Sequence, residues 1–400
     1  MKKKLMLISP MLHQGGFERV CVTTARLLEP HFEITIVIFD SADIAYDVSG
    51  IPIVDIKMGV RKGKIGKLFN VLKRSAKVRQ LKKQMKPDVA YSFGPSANMV
   101  NALSKTAKEQ VWLGLRSYMD VEDKRKLKLF TRYADLILCC SKTIENELKI
   151  KTKFNKTATL YNPYDVKAIQ AEAGGSKTDI PWGERDENGR KIRCLVSMGR
   201  DDDLKGFWHM LKAFSLVHKK LPEARLLLLG DGTFEEYKKL AEELGITDAI
   251  YFAGMQRAPY GYLAKAEIYL LTSLTEGFPN ALVEGMSLGL APVSTNCLTG
   301  PAEILLKNSE RDCENHFGGK TDVIYGEYGI LLPPMSKEKD LNPMHILPEE
   351  QRMAEVILEL LTDQELLHRY QQAAALRAQS FTYESYIQSF LDLSAQGKRV

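Results

Sequence analysis

The sequence predicts an α/β protein of two doubly wound domains facing each other across a cleft, and three observations carry that prediction. Its 400 residues exceed what a single hydrophobic core usually spans. Short apolar, β-rich runs alternate with longer helical patterns, which implies right-handed βαβ units and parallel sheets. The alternation breaks once, over 171–193, where glycine, charge and Pro181 interrupt it before it restarts.

Taken in order, the first strands are Leu5–Ile8, Ile34–Phe39, Val89–Ser92, Val111–Leu115 and Leu136–Cys140. The second series is Cys194–Met198, Leu226–Gly230, Ile250–Phe252, Ile268–Leu271, Ala291–Ser294 and Gly329–Leu332. Residues from Pro348 onward read as helix, and Tyr383 to Leu393 carries aromatic and aliphatic residues at helical spacing. The expected division is a first domain over 1–163, a linker over 164–193, a second domain over 194–378, and a closing helix over 379–400 that returns to the first domain.

Composition is that of an ordinary globular protein, with 44% hydrophobic and 26% charged residues. The apolar run after Met1-Lys2-Lys3-Lys4 is cut short by Pro10, His13 and Glu18, so it reads as a buried strand and not as a signal peptide. No stretch approaches the roughly 20 apolar residues that span a bilayer. Cys21, Cys139, Cys140, Cys194, Cys297 and Cys313 are scattered without Cys-x-x-Cys spacing. They predict buried thiols in a reducing cytoplasm, with neither a zinc site nor a disulfide framework. A formal net charge of +6 is modest for this length and does not point to nucleic acid.

Three loops carry chemistry. After the first strand, Gly15-Gly16 sits at a strand-to-helix turn, with the helix beginning near Phe17. Paired glycines there let backbone approach a ligand, and the helix N-terminus favours anions; a plain tight turn has the same letters. The second domain's first strand ends in Gly199-Arg200, with Lys205-Gly206 leading into a helix. A forked guanidinium and a point-charge ammonium suit a diphosphate at a strand's carboxyl end, although Asp201-Asp202-Asp203 would equally pair with both bases.

The third loop is the most specific: Thr275-Glu276-Gly277-Phe278-Pro279-Asn280-Ala281-Leu282-Val283-Glu284-Gly285. Its two carboxylates are eight positions apart (284 − 276 = 8). Asn280 as N-cap would put Glu276 in the loop and Glu284 just over one turn into the helix. Backbone N–H groups of Gly277, Phe278, Asn280, Ala281 and Leu282, with Pro279 among them offering only its carbonyl, can then meet phosphate or sugar hydroxyls, and both carboxylates can accept from vicinal hydroxyls. A capped helix with surface glutamates is the plainer alternative.

In this ordered combination the chain resembles the retaining glycosyltransferases of family 4 (group 1), which have the GT-B fold of two Rossmann-like domains. The resemblance covers nearly the whole length. Glu276 and Glu284 match the family's Glu-x7-Glu motif, Gly15-Gly16 its amino-terminal glycine loop, and Arg200 and Lys205 its diphosphate pair. Leu229-Gly230-Asp231-Gly232 match its second-domain strand end, and Asn162-Pro163 its inter-domain crossing. The resemblance implies a hexosyltransferase-type enzyme that takes a nucleoside diphosphate sugar, UDP-linked, to a glycan or lipid-linked acceptor in capsule or other surface polysaccharide synthesis. It implies Glu284 on the donor ribose, Arg200 and Lys205 on the diphosphate, and Glu276 on the donor sugar. It also implies retention of anomeric configuration without metal or other cofactor, the two cations and a helix end stabilising the leaving diphosphate.

Two departures from the family stand out. Many relatives carry a sugar-contacting histidine after the strand that here reads Val111–Leu115, where this chain has Arg116-Ser117; Arg116 is a candidate sugar or acceptor contact or a solvated strand-end residue, and His13 is a weaker substitute. The segment from Lys307 to Glu327 is longer than usual and reads as a surface excursion.

Between Lys57 and Lys86 every charged residue is positive, and Ile65, Leu68, Phe69, Leu72, Ala76, Leu81 and Met85 form a helical stripe. The stripe is expected to pack on the sheet. Lys62, Lys64, Lys67, Lys73, Arg74, Lys77, Lys82 and Lys83 are expected to hold the domain peripherally on the anionic inner face of the membrane. Nucleic acid is disfavoured for want of interleaved aromatics. Competing readings are a GT-B epimerase, a nucleotide-binding partner protein without catalysis, and, third, a nicotinamide oxidoreductase, which lacks its Gly-x-Gly-x-x-Gly fingerprint here.

Overall fold

The computed structural model describes residues 2–13, 15–59, 63–176, 178–308 and 323–396. The chain forms two compact units, Met1–Pro163 with Tyr383–Val400, and Tyr164–Thr382.

In the first unit seven strands form one parallel sheet: β1 (Lys3–Ser9), β2 (Phe32–Ile38), β3 (Ile53–Asp55), β4 (Val89–Phe93), β5 (Gln110–Leu115), β6 (Leu136–Cys139) and β7 (Thr157–Thr159), in the order β3-β2-β1-β4-β5-β6-β7. Helices α1 (Gly16–Leu28), α2 (Lys64–Met85), α3 (Pro95–Leu103), α4 (Lys124–Tyr133) and α5 (Lys142–Thr152) connect them. Strand β1 shows why apolar runs without polar alternation mark such a sheet. Leu5 and Leu7 join a core with α1, while Met6 and Ile8 join another that includes Val78, Ala97 and Val100 of α2 and α3. Both faces are buried, so both parities must be apolar.

The basic helix α2 differs from expectation. Its sheet-facing side holds Asn70, Arg74, Ser75, Val78 and Lys82, all buried, and of the expected stripe Leu81 and Met85 pack against the core there, whereas Leu68, Phe69 and Leu72 are 61%, 48% and 55% exposed. Two cations expected at the surface are therefore inside. Arg74 is held there because it donates to the carbonyls of Met58 and Gly59 and stacks on Phe39 at 4.5 Å. Lys82 is held by Asn101 Oδ1 at 2.7 Å and Glu109 at 3.2 Å. Buried charge is tolerated where every donor finds an acceptor. Lys62, and the side chains of Lys64 and Ile65, lie outside the described residues.

In the second unit β8 (Arg193–Met198), β9 (Ala224–Leu229), β10 (Ile250–Gly254), β11 (Ile268–Leu271), β12 (Ala291–Thr295), β13 (Ile324–Tyr325) and β14 (Ile330–Leu332) run in the order β10-β9-β8-β11-β12-β14-β13. All neighbours are parallel except β13 and β14. The helices are α6 (Val166–Gly175), α7 (Phe207–Lys220), α8 (Glu235–Glu243), α9 (Tyr260–Leu263), α10 (Asn280–Ser287), α11 (Pro301–Leu305), α12 (Pro348–Thr362) and α13 (Gln364–Ala378).

The stretch 164–193, read from sequence as a linker, falls in this second unit. Asp165 caps α6 by accepting from Ala168 N–H at 2.9 Å, Val166 and Ile169 are buried, and Gln170 Nε2 donates to Ser287 O at 2.9 Å. Of the segment 307–327, residues 309–322, with Cys313, lie outside the described residues. The closing helix α14 (Tyr383–Gln396) belongs to the first unit. Phe390 packs 5.2 Å from Trp112, 5.8 Å from Phe32 and 6.1 Å from Tyr91 between ring centroids, and the Tyr386 and Thr24 hydroxyls are 2.7 Å apart.

Candidate functional site

In a doubly wound sheet the loops beyond the strands' carboxyl ends face ligands, and in the second unit those loops are laced together. Thr272, just past β11, donates its hydroxyl to Lys205 O at 2.9 Å, and Leu274 N–H donates to Leu204 O at 2.8 Å. Gly206, the residue before α7, has φ +61, and a Cβ there would come within 2.4 Å of Thr272 O. Only glycine fits that contact. The lacing aims Lys205 at the neighbouring loop, where Nζ lies 2.6 Å from Glu276 Oε1, with the side chains 24% and 13% exposed. Thr299 fixes the same loop by donating its hydroxyl to Glu276 O.

The aspartate triplet does not take both bases. Asp201 accepts from Phe234 N–H at 2.7 Å, Asp202 caps the turn before Lys205 by accepting from Leu204 N–H at 2.9 Å, and Asp203 pairs with Lys339 at 2.7 Å. Arg200 keeps only a loose 3.8 Å pairing with Asp202 and is 70% exposed, a cation at the carboxyl end of β8. The neighbouring turn after β9 closes on it through Gly230, whose φ is +149 and whose Cβ would overlap Gly199 O at 1.7 Å.

Asn280 is not the N-cap of α10. That position is Pro279, which makes no side-chain cap, and Asn280 begins the helix with Oδ1 accepting from Tyr164 OH at 2.5 Å. Proline fixes its own φ and ends the loop one residue earlier, and the tertiary hydroxyl engages the amide that a cap would have used. Phe278, Pro279 and Leu282 have buried side chains, Phe278 meeting Phe381 edge to face at 5.4 Å between ring centroids. These residues can therefore offer a ligand only backbone groups. Gly277, Asn280 and Ala281 are half-buried.

Glu284 is 2% exposed on α10, and its Oε1 accepts from Tyr260 OH at 3.3 Å. Beneath both carboxylates lies Tyr269, whose hydroxyl accepts from Met198 N–H at 3.3 Å. Burial pushes this phenol far up, and the negative fields of Glu284 and Glu276 push it further. The two glutamates thus share one neighbourhood with Lys205. Tyr260, Tyr269, Thr272 and Thr299 escaped the sequence reading, since nothing local distinguishes them from other core or loop residues.

The remaining candidates belong to the first unit. Gly15 is the residue before α1; its N–H donates to the Tyr46 hydroxyl at 2.9 Å and its carbonyl accepts from that hydroxyl at 2.8 Å. Gly16 opens the helix, one residue earlier than expected. His13 Nδ1 is 3.1 Å from Asp43 O. Arg116 is not a solvated strand-end residue: Nη1 donates to Asn162 Oδ1 at 2.9 Å, Nη2 donates to Tyr91 OH, and the guanidinium lies 5.1 Å from the Phe93 centroid. Burial opposes its charge, but the facing Tyr91, Tyr386 and Cys140 groups hold its pKa above the ordinary guanidinium value. Its Nε is buried with no partner among the described residues.

Among the described residues no three His, Cys, Asp or Glu side chains converge as metal ligands, the five described cysteines are free and buried, and no helix is long and apolar enough to cross a membrane.

Comparison with known proteins gives the same direction. The family described as glycosyl transferases group 1 matches residues 183–313. An uncharacterized glycosyltransferase of Methanocaldococcus jannaschii is 30% identical over 349 residues, 80% of this chain and 82% of that protein. A 4-alpha-N-acetylgalactosaminyltransferase of Campylobacter jejuni, named for its N-acetylgalactosamine-N,N'-diacetylbacillosaminyl-diphospho-undecaprenol substrate, is 23% identical over 95% of this chain and 96% of its own length. In fold, the crystal structure of Anabaena HepE in complex with UDP superposes with a TM-score of 0.74 at 19% identity, covering 98% of this chain and 100% of that one. With a relative this similar along most of its length, and with Glu276, Lys205 and Glu284 gathered where the sheet's carboxyl ends converge, the chain belongs to the group 1 glycosyltransferases and has their GT-B fold.

Proposed function

We propose that this glycosyltransferase moves a hexose from a UDP-sugar to a glycan or lipid-linked acceptor, with retention of anomeric configuration and without metal, in surface polysaccharide synthesis at the inner face of the membrane. The observation that carries the proposal is the 2.6 Å approach of Lys205 to Glu276. In a nucleotide sugar the β-phosphate and the sugar ring share one oxygen, so a cation for the phosphate and a carboxylate for the ring hydroxyls must be neighbours. Arg200 adds a second, exposed cation, and the backbone of Gly277 to Leu282 lies at the start of α10. Glu284 is the acceptor for the ribose hydroxyls. Gly15 and Gly16 are assigned to the donor through their backbone, and Arg116 and His13 to the sugar or acceptor. HepE, of the same fold, binds UDP and glucose in crystals, and the Campylobacter relative acts on a lipid diphosphate; both support a UDP donor and a lipid-linked acceptor.

In the step, the anomeric carbon–oxygen bond breaks with its electron pair on the diphosphate. The acceptor oxygen bonds to the anomeric carbon on the same face, and its proton is released. Lys205 and Arg200 stabilise the charge that develops on the diphosphate, which is where positioned donors act most strongly.

The test is thermal unfolding against a panel of nucleotide sugars, followed by transfer from the best stabiliser with and without chelator. UDP-sugars should raise Tm, transfer should survive chelation, and the product should keep the donor's anomeric configuration by proton NMR. Strict dependence on added Mg²⁺, or an inverted product, would overturn the corresponding part of the assignment.

A further inference from the structure

Helix α2 carries two faces that its sequence does not distinguish. At about 100° per residue, Asn70, Arg74, Val78 and Lys82 lie on one side, which is the buried one. Leu68, Leu72, Ala76 and Phe69 lie within an arc of about 100° on the other. Leu68, Phe69 and Leu72 are among the few large apolar side chains exposed on the described surface, and here three occur within five residues. Exposed apolar clusters of this kind mark interaction sites.

The charges around the cluster identify what it meets. Arg79 and Lys83 continue the same arc one and two turns further on, Lys73 and Lys77 border it, and all four are exposed. Lys73 Nζ lies 4.5 Å from the Phe69 ring centroid, its stem along the apolar patch and its head at the edge. No acidic residue occurs from Lys57 to Lys86. We propose that this face of α2 lies on an anionic lipid leaflet, tilted so that Leu68, Phe69 and Leu72 near its amino end reach the acyl chains while Lys73, Lys77, Arg79 and Lys83 further along stay at the headgroups. Nucleic acid would match the charges but leave the apolar cluster without an apolar environment; a bilayer interface supplies both over the whole length of the helix. The inference deepens the membrane part of the proposed function, naming its surface and its lipid class.

The experiment uses the full chain and vesicles of phosphatidylglycerol and phosphatidylcholine, against vesicles of phosphatidylcholine alone. Sedimentation should show binding to the anionic vesicles that falls with salt, about fivefold in partitioning for each headgroup cation removed. L68S/F69S/L72S should weaken binding at least about 30-fold while Tm and stabilisation by UDP stay at the parental values, since none of these residues is in the core or the site. F69W should shift its emission to the blue on vesicle addition and be quenched by brominated acyl chains. Equal binding to neutral vesicles, full binding by the triple serine variant, or F69W emission indifferent to lipid would each overturn the proposal. Because UDP stabilisation is read separately, failure here is distinct from failure of the donor assignment.

Discussion

Replacing Lys205 by alanine separates the two roles of the Lys205–Glu276 pair. Without donor, the ammonium sits 2.6 Å from a carboxylate that is only 13% exposed. Exposed pairs contribute up to about 1 kcal/mol, whereas stripping one partner from a buried pair costs about 3–5 kcal/mol. At this intermediate burial K205A should cost about 2 kcal/mol of stability. Its effect on the donor is separate. A charge-assisted hydrogen bond to phosphate is worth about 2 kcal/mol, so the Kd for UDP should rise about 30-fold. With UDP fixed at about 100 times the parental Kd, the parent gains about 2.7 kcal/mol and the variant only about 0.9 kcal/mol. Urea unfolding with and without UDP reads both numbers. The companion E276Q keeps the shape but removes the anion competing for Lys205, so UDP should bind at least as tightly while transfer falls about 100-fold or more. Equal UDP stabilisation of K205A and parent would remove Lys205 from the diphosphate; E276Q losing UDP as severely as K205A would refute the idea that Glu276 competes for the cation.

Three further outcomes follow from buried groups elsewhere. His209 Nδ1 lies 2.7 Å from Glu350 Oε1 with both side chains fully buried, so H209L should lower stability by about 3–5 kcal/mol, seen as a lower urea midpoint at unchanged slope; a loss below about 1 kcal/mol would contradict that pairing. F390A should cost about 3–5 kcal/mol and raise amide exchange in α14, because Phe390 fills the space between Phe32, Tyr91 and Trp112; unchanged exchange would mean that this ring does not anchor the helix. Burial holds Lys82 at about 8 against its ordinary 10.5, more than Glu109 restores. Between those two values the unfolded chain binds more protons than the native one, so stability should rise with pH across that window relative to K82M, and a flat difference would refute the depressed value.

The strands were legible because parallel strands covered on both faces read as unbroken apolar runs, as in Leu226–Leu229 and Ile268–Leu271. The strands missed, β3, β7 and β13, are three residues or fewer, too short for any periodicity. Lys205 and Glu276 were legible as neighbours because each sits in a short loop at a strand's end, and sheet order brings such loops together. Asn280 shows the limit of that reasoning: asparagine before a helical run is the usual capping signal, yet Pro279 and the distant Tyr164 hydroxyl decide the boundary. Tyr260 against Glu284 is a contact of the same tertiary kind.

Helix α2 shows why burial is the hardest thing to read from such a segment. Hydrophobic periodicity finds apolar residues on both sides, Leu68, Phe69 and Leu72 on one and Val71, Val78, Leu81 and Met85 on the other. The choice between sides is made by acceptors outside the helix. The carbonyls of Met58 and Gly59 and the side chains of Asn101 and Glu109 wait on the sheet side. Presenting Leu68 and Leu72 there would leave the two carbonyls and the Asn101 amide oxygen short of donors, at about 1–3 kcal/mol each, and would take the ammonium from Glu109, which would keep only its Thr106 donors. Presenting Arg74 and Lys82 satisfies these acceptors. Leu68, Phe69 and Leu72 are therefore outward because the polar requirements of the interior outweigh their own burial, and among the described residues they stay exposed.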